Sequence, residues 1–226
     1  DPDKKIIEYI LENKKEKRLV DLSVTGFVDE TASESPAPGG GSISAAMGAM
    51  GAALGTMVAN LSSHKRGWDD RWEEFSDWAV KGKYFQEELL KMIDEDTRAF
   101  NKIMDAFGLP KKSEEEKSAR NKAITEATKY AIEVPFKVMT LCYESMEVMK
   151  AMAETGNPNS VSDAGVGAIA ALAGVKGAFL NVKINAGGLD DKQFVHDIIE
   201  RGKILQENAV KKQKEILEIV DGKIKS

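Results

Sequence analysis

One acidic residue lies where a carboxylate could do acid–base chemistry. In the segment DEDTRAF, Asp96 falls near the centre of an apolar helical stripe, between Ile93 and Phe100. Asp94 falls on the opposite side of the helical wheel, and we expect Asp94 and Arg98 to be solvated. Because desolvation raises the pKa of a carboxyl group toward neutrality, Asp96 is a candidate proton shuttle. The alternative is a structural Asp paired with a basic group or with backbone N–H groups.

A glycine-rich turn and the long uncharged segment after it form a second candidate element. The turn contains Gly39, Gly40 and Gly41, and Ser42 is a plausible N-cap for the helix that follows. Free N–H groups at such a turn favour an anion. One face of this helix has only large side chains, namely Ile43, Met47, Met50, Leu54, Met57 and Leu61. The opposite face has only small ones, namely Ser44, Gly48, Gly51, Gly55 and Ser62. We expect the large face to enter the core and the small face to admit another helix or a flat ligand.

A later helix, which opens in NPNSVSDAGVGA, has a second seam of small and polar residues. Asp163, Gly167, Gly174, Asn181 and Asn185 lie within about 40° of one another on the wheel. Apolar faces flank this seam on both sides, which predicts a central helix. Its Asn side chains would then need buried partners, either other helices or a heterocycle with donors and acceptors.

The elements that must position these residues are predicted to be helices. The 3.6-residue period dominates and no segment alternates as a strand does, so the sequence predicts an all-α, antiparallel bundle of long helices that dimerises. Pro135 should kink one of them. Residues 1–20 are predicted to be a leader helix or interdomain linker, and residues 21–226 the main domain. We expect helices near residues 3–18, 23–33, 42–63, 69–107, 114–155, 161–186 and 190–221.

Composition excludes several function classes. Charged residues make up 31% of the chain and the net charge is -5, which argues against disorder, an integral membrane protein and a nucleic-acid partner. The uncharged run 43–61 is long enough to span a membrane, but it is rich in Ala and Gly and interrupted by polar residues, which favours packing inside a protein. A single Cys142 fits a reducing, cytoplasmic compartment, and one Cys with two His argues against a metal site.

Three segments closely resemble the formiminotransferase-cyclodeaminase family, in particular its C-terminal cyclodeaminase domain. They are SPAPGGGSISAAMGAMGAALGTMVANLSSHKR, DEDTRAFNKIMDAFGLPKKSEEEK, and NPNSVSDAGVGA together with NVKIN. The resemblance covers residues 21–222. It implies a helical homodimer or larger assembly with active sites near subunit contacts. It also implies a reduced, polyglutamylated folate as the substrate, no cofactor, and a fused or partner formiminotransferase domain.

The resemblance implies formimidoyltetrahydrofolate cyclodeaminase activity, an ammonia-lyase step of histidine degradation. Asp96 matches the position of the acid/base residue of the family. Further candidate contacts to the folate are the GGGS turn, Lys65, and the polar residues Asp163, Asn181 and Asn185. A methenyltetrahydrofolate cyclohydrolase of the same fold is the nearest alternative. A non-catalytic dimerisation module, which would use the glycine faces only for packing, is the second alternative.

Overall fold

Six α-helices account for most of residues 18–224, which are the residues that the computed structural model describes. No strand occurs in that range, so the all-helical prediction is confirmed. Three 3₁₀ turns, Leu19–Asp21, Asp69–Arg71 and Pro158–Ser160, precede α1, α3 and α5. The helices are α1 Val24–Thr31, α2 Gly40–Ser63, α3 Trp72–Gly108, α4 Glu114–Thr155, α5 Val161–Ala186 and α6 Lys192–Ile224.

The helix bounds follow local signals that the sequence displays. At the start of α4, the Ser113 hydroxyl accepts from the Glu116 N–H while the Glu116 carboxylate accepts from the Ser113 N–H, which is a capping box. All six helices predicted for the main domain occur, each with ends within three residues of the prediction. Because α4 stays helical through Pro135, the kink remains a prediction. The leader helix lies almost wholly outside the described residues, and the domain division also remains a prediction.

The small faces of α2 and α5 pack antiparallel against each other at the centre of the protein. A Cβ atom added to Gly51 would lie 2.6 Å from the Gly167 carbonyl oxygen, and one added to Gly167 would lie 2.9 Å from the Gly51 carbonyl oxygen. The backbones therefore touch directly, which only residues without a side chain permit. Both helices are long and apolar enough to cross a membrane, yet most of each is buried inside the protein.

The large side chains of α2 face outward, so the prediction that they enter the core is wrong. Met50 is 58% exposed, and Met57 and Leu61 are also exposed, whereas Gly48, Gly51 and Gly55 are buried. The small face packs into the core because it lets neighbouring backbones approach closely and make more contacts. An apolar surface is thereby left on the outside of α2.

On α5, only one of the two predicted buried faces is buried. Val175 and Phe179 lie in the core, whereas Leu180 and Ile184 are 62% and 76% exposed. The prediction of a helix surrounded on both sides is therefore wrong for the second face. Its outer surface adds further exposed apolar area to the bundle.

Cys142 of α4 occupies the junction of α2, α4 and α5. A Cβ atom at Gly48 would lie 2.3 Å from its sulfur, and one at Gly174 would lie 2.8 Å from it. The thiol is fully buried, and burial raises its pKa to about 12. Cys142 is therefore an inert packing residue that fills the space the two glycines leave.

Candidate functional site

Asp96 lies where α3 leaves the core. Beyond it, the stripe residues Phe100 and Phe107 are exposed. Before it, the stripe residues are all buried, namely Phe85, Leu89, Met92 and Ile93. The carboxyl group of Asp96 is half-buried at this boundary.

The first turn of α2 receives this carboxyl group. Oδ2 of Asp96 accepts a hydrogen bond from the Ser42 backbone N–H at 2.9 Å and one from the Ser42 hydroxyl at 3.1 Å. Gly41 makes room for the contact, because an added Cβ atom there would lie 2.0 Å from Oδ1 of Asp96. The glycine-rich turn is thus shaped around the acid of α3.

Ser42 is not the N-cap of α2, which corrects the prediction from sequence. The helix begins at Gly40, and Gly39, which has no side chain, occupies the N-cap position. The N-terminal N–H groups were predicted to favour an anion. Ser42 in fact donates its N–H to the carboxylate of the chain itself.

The environment of Asp96 raises its pKa. Burial, which disfavours the charged carboxylate, is the largest effect, and the two hydrogen bonds from Ser42 oppose it. No basic side chain forms an ion pair with Asp96 among residues 18–224. Of the structural alternative, the pairing with a basic group therefore does not apply there, whereas a bond from one backbone N–H group, that of Ser42, is present. The raised pKa suits a group that both takes and gives a proton.

A cavity of about 190 Å³ adjoins the carboxyl group, and we call it the Asp96 cavity. Of the groups in the described range, none donates a hydrogen bond to Oδ1 of Asp96. The walls come from the loop before α2 and from α2, α3, α4 and α5. They include Pro36, Ala37, Gly39, Gly40, Thr97, Phe100, Ala131, Asn181 and Asn185.

The two Asn residues of α5 reach this cavity, as the polar seam suggested. Asn185 donates from Nδ2 to the Ala131 carbonyl at 2.7 Å, and Asn181 donates from Nδ2 to the Gly177 carbonyl at 3.0 Å. A Cβ atom at Gly40 would lie 3.1 Å from Nδ2 of Asn181, so this glycine keeps the amide close to the turn. Polar groups from α2, α3 and α5 therefore converge on one small space.

Lys65 and Asp163 lie at the other end of the bundle. Lys65 follows α2, a helix about 36 Å long, and its Nζ lies 3.9 Å from the centre of the Trp68 ring. Asp163 is in the first turn of α5, about 27 Å along the helix from Asn181. A single copy of the chain does not bring either residue to the Asp96 cavity, and their roles remain predictions.

A second cavity, of about 440 Å³, adjoins the first and shares Ala37 and Thr97 with it. Its walls also include Asp94, which is buried and accepts a hydrogen bond from the Leu19 N–H at 2.6 Å. The prediction that Asp94 is solvated is therefore wrong, because the segment before α1 covers this side of α3. Arg98 pairs with Glu95 at the surface and remains partly solvated, as expected.

Thr97 is a site residue that sequence reasoning missed. Its Oγ1 is buried and has no hydrogen-bond partner among the described residues. Helical Thr residues usually bond to the carbonyl four positions earlier. For Thr97 that carbonyl belongs to Ile93, which accepts from the Ser42 hydroxyl at 2.9 Å. Only this long-range contact distinguishes Thr97, and no local sequence signal reveals it.

The fold and the site define a class: an all-helical domain that presents a half-buried carboxyl group, Asp96, to a small cavity. A family model described as formiminotransferase-cyclodeaminase matches residues 23–203. The chain belongs to this family.

Relatives and a solved structure agree with that membership. A methenyltetrahydrofolate cyclohydrolase of Methylorubrum extorquens is 39% identical over 89% of this chain and 97% of its own length. A formimidoyltransferase-cyclodeaminase of Mus musculus is 35% identical over 86% of this chain, which spans only 36% of that protein. The crystal structure of a formiminotetrahydrofolate cyclodeaminase from Thermotoga maritima matches with a TM-score of 0.78 at 28% identity, over 89% of this chain and 97% of that one. The named relatives are folate-metabolising enzymes.

Proposed function

We propose that this chain is a formimidoyltetrahydrofolate cyclodeaminase, which converts 5-formimidoyltetrahydrofolate to 5,10-methenyltetrahydrofolate and ammonia in histidine degradation. The observation that supports it is the Asp96 carboxyl group, which is half-buried, has no ionic partner in the described part of the chain, and lines a cavity. The cyclodeaminase names of the mouse protein and of the Thermotoga maritima structure favour this reaction over other proton transfers.

The chemistry requires one group that accepts a proton and then returns it. N10 of the folate attacks the protonated formimidoyl carbon on N5, and the ionised Asp96 takes the proton that N10 loses. The carbon then bears three nitrogens. Asp96 delivers the same proton to the exocyclic nitrogen, the bond between this nitrogen and carbon breaks, and ammonia leaves. No net proton is consumed, and a positioned acid/base group contributes about 10²–10⁴ to the rate.

The two adjoining cavities suit the two parts of a folate. At about 190 Å³ the Asp96 cavity is smaller than the 300–1,000 Å³ that ligand pockets commonly occupy, so we place only the fused ring there. Asn181 and Asn185 would face its donors and acceptors. The p-aminobenzoylglutamate part would then pass Thr97 into the second cavity.

Methenyltetrahydrofolate hydrolysis is the second candidate, favoured by the Methylorubrum extorquens relative that the chain matches along almost its whole length. In this reaction water adds to the carbon between N5 and N10, and Asp96 accepts the proton of the attacking water. Asp96 returns this proton to N5 as the bond from the carbon to N5 breaks, and the hydroxyl group on the carbon loses its proton as the formyl C=O forms, which gives 10-formyltetrahydrofolate and one released proton. The same carboxyl group and the same carbon take part in both reactions.

One pair of assays tests both candidates. The purified chain is mixed with 5-formimidoyltetrahydrofolate, and ammonia release is followed together with the methenyl absorbance. In parallel, it is mixed with 5,10-methenyltetrahydrofolate, and the loss of that absorbance is followed. We expect ammonia release well above the spontaneous rate. Hydrolysis without ammonia release would favour the cyclohydrolase, and no activity on either folate would leave the non-catalytic module.

We further propose that the chain forms at least a dimer through the exposed apolar face of α2. This face borders an apolar groove of about 570 Å³ between α1 and α2. A second copy would cover it and bring its own Lys65 or Asp163 toward the folate and its glutamate tail. The assembly would work in a reducing cytoplasm, alone or with a formiminotransferase domain.

The dimer has a test with a matched control. Met50 on α2 and Ile204 on α6 are both 58% exposed. We expect Met50→Glu to yield a monomer in light scattering after size-exclusion chromatography, because a charge in a buried interface is costly. We expect Ile204→Glu to leave the mass unchanged. An unchanged mass for Met50→Glu would show that this face is not the interface.

A further inference from the structure

We propose that Ser42 is a positioning residue for Asp96, and that it determines which carboxyl oxygen carries the transferred proton. The sequence suggested instead that Ser42 binds the substrate. The inference rests on the proposed function, and it assigns a separate role to each group of Ser42.

The first observation is that Ser42 is out of reach of a ligand. Its side chain is 0% exposed, and it does not line the Asp96 cavity, whereas Gly39 and Gly40 do. A hydroxyl group in that position cannot touch a folate unless the turn opens. Its contacts are to the protein itself.

The second observation is that both donors of Ser42 point at the same oxygen. Its N–H and its hydroxyl bind Oδ2 of Asp96, at 2.9 Å and 3.1 Å. A backbone N–H can only donate, so Oδ2 must remain an acceptor in either protonation state. An oxygen that already accepts a bond from an N–H group is the less favourable site for a proton, so we expect a proton taken from the substrate to reside on Oδ1, to which no described group donates.

The third observation is that the hydroxyl group is itself held in place. Its single proton is shared between the Ile93 carbonyl at 2.9 Å, one turn before Thr97, and Oδ2 of Asp96 at 3.1 Å. The Ile93 carbonyl accepts from Ser42, and the buried Oγ1 of Thr97 has no hydrogen-bond partner within residues 18–224. Elsewhere in the helices this bond is made by Thr31, Thr56, Thr125, Thr128, Thr140 and Thr155. The contact of Ser42 thus replaces a bond that other helices of this protein make.

The experiment compares Ser42→Ala with Ser145→Ala. Ser145 is an equally buried serine of α4, and its hydroxyl donates to the Cys142 carbonyl at 2.8 Å, away from the cavity. For Ser42→Ala we expect kcat to fall about 10- to 100-fold, because a hydrogen bond to a charged group is lost. KM should stay within about two-fold, since no substrate contact is removed. Ser145→Ala should change neither constant.

A pH titration provides the readout that a purely structural role would not move. The lost bond favours the ionised carboxylate, so the pKa of Asp96 should rise in Ser42→Ala. We expect the acidic limb of the pH–rate profile to move to higher pH, and the Asp96 carboxyl carbon to titrate at higher pH in NMR spectra. Ser42→Thr keeps the hydroxyl group and should restore both.

Each other outcome overturns the proposal. A raised KM with unchanged kcat would return Ser42 to substrate binding, and an unmoved Asp96 pKa would leave it a packing residue. If Ser42→Ala does not fold, Ser42→Thr must reproduce the wild-type pH dependence, and failure to do so counts against the proposal. The NMR titration needs no turnover, so failure of the proposed enzyme activity is distinguishable from failure of the role of Ser42.

Discussion

The two ends of α2 are built alike but meet different surroundings. At the first turn, small residues admit the carboxyl group of Asp96, which has no ionic partner among the described residues and faces a cavity. At the last turn, Ser62 is as buried as Ser42 is at the first turn. The Ser62 hydroxyl group donates to the Val58 carbonyl and accepts from the Asn157 N–H. Lys65 just beyond it lies on the Trp68 ring. Polar groups are satisfied within the protein at one end, and at the other an acid is left for a ligand.

This contrast shows what a small-residue face contributes. Along most of its length the face lets backbones touch and leaves no space for a ligand. Only at the first turn does it end beside a helix that is leaving the core, and a cavity results there. The largest expected effects of mutation are therefore at that end.

Replacing Asp96 should have the largest effect. We expect Asp96→Asn to lower kcat about 10²–10⁴-fold, because Asn cannot carry the transferred proton, while the protein still folds. The matched control is Asp77→Asn, which changes an exposed residue of the same helix in the same way and should leave kcat intact. Steady-state kinetics and circular dichroism check both variants, and full activity in Asp96→Asn would contradict the acid/base role.

Adding one methyl group should separate activity from stability along α2. Gly41→Ala forces a Cβ atom against Asp96, so we expect kcat to fall about 100-fold as the carboxyl group is displaced. Gly51→Ala forces the backbones of α2 and α5 apart, so we expect the free energy of unfolding to fall by about 1–3 kcal/mol.

The control for this pair is Gly108→Ala, since an added Cβ atom at Gly108 meets nothing within 4 Å. Denaturant unfolding and kcat are measured on all three variants. If Gly41→Ala lost stability alone, or Gly51→Ala lost activity alone, the distinction between the two regions would fail.

The pH dependence of stability should reveal the raised pKa of Asp96. A carboxyl group whose pKa is raised on folding stabilises the folded state at low pH. That stability is lost as pH rises from 3.8, the ordinary pKa of the group, through its pKa in the folded protein. The side chain of Asp96→Asn is uncharged at every pH. The Tm of this variant should therefore rise relative to that of the wild type as pH increases through this window. Parallel Tm curves would show that burial does not perturb the group.

Lys65 should give the smallest effect on stability. We expect Lys65→Ala to cost about 0.5–1 kcal/mol, the value of a cation–π contact at an exposed site. The informative measurement is KM for monoglutamyl and polyglutamyl folates. A KM raised only for the polyglutamate would place the glutamate tail near Lys65 of a neighbouring copy. Lys65→Arg, which keeps the charge, should retain the wild-type KM.

Most of the fold could be predicted because its signals are local. Periodicity and turn residues located each helix of the main domain, and a single helical wheel placed Asp96 on the apolar stripe of its helix. What could not be predicted depends on distant contacts. Asp94 is buried by Leu19, a residue 75 positions away, and nothing in its own helix indicates this.

The sequence pattern of α2 also could not predict which face of this helix packs into the core. Periodicity shows that two faces differ, but it does not say which one packs, and large apolar residues are usually the buried ones. Here the small face is the buried one, because the backbones approach closely at Gly51 and Gly167. That approach becomes visible only when both helices are placed together.

The single thiol of the chain offers a means of measuring how often the helix bundle opens. Cys142 fills the gap between Gly48 and Gly174, so a labelling reagent reaches its sulfur only after three helices separate. The rate at which Cys142 is modified would therefore report how fast the helices separate at the centre of the protein, without any added probe. Comparing that rate with and without a bound folate would tell whether occupying one end of the molecule tightens its middle.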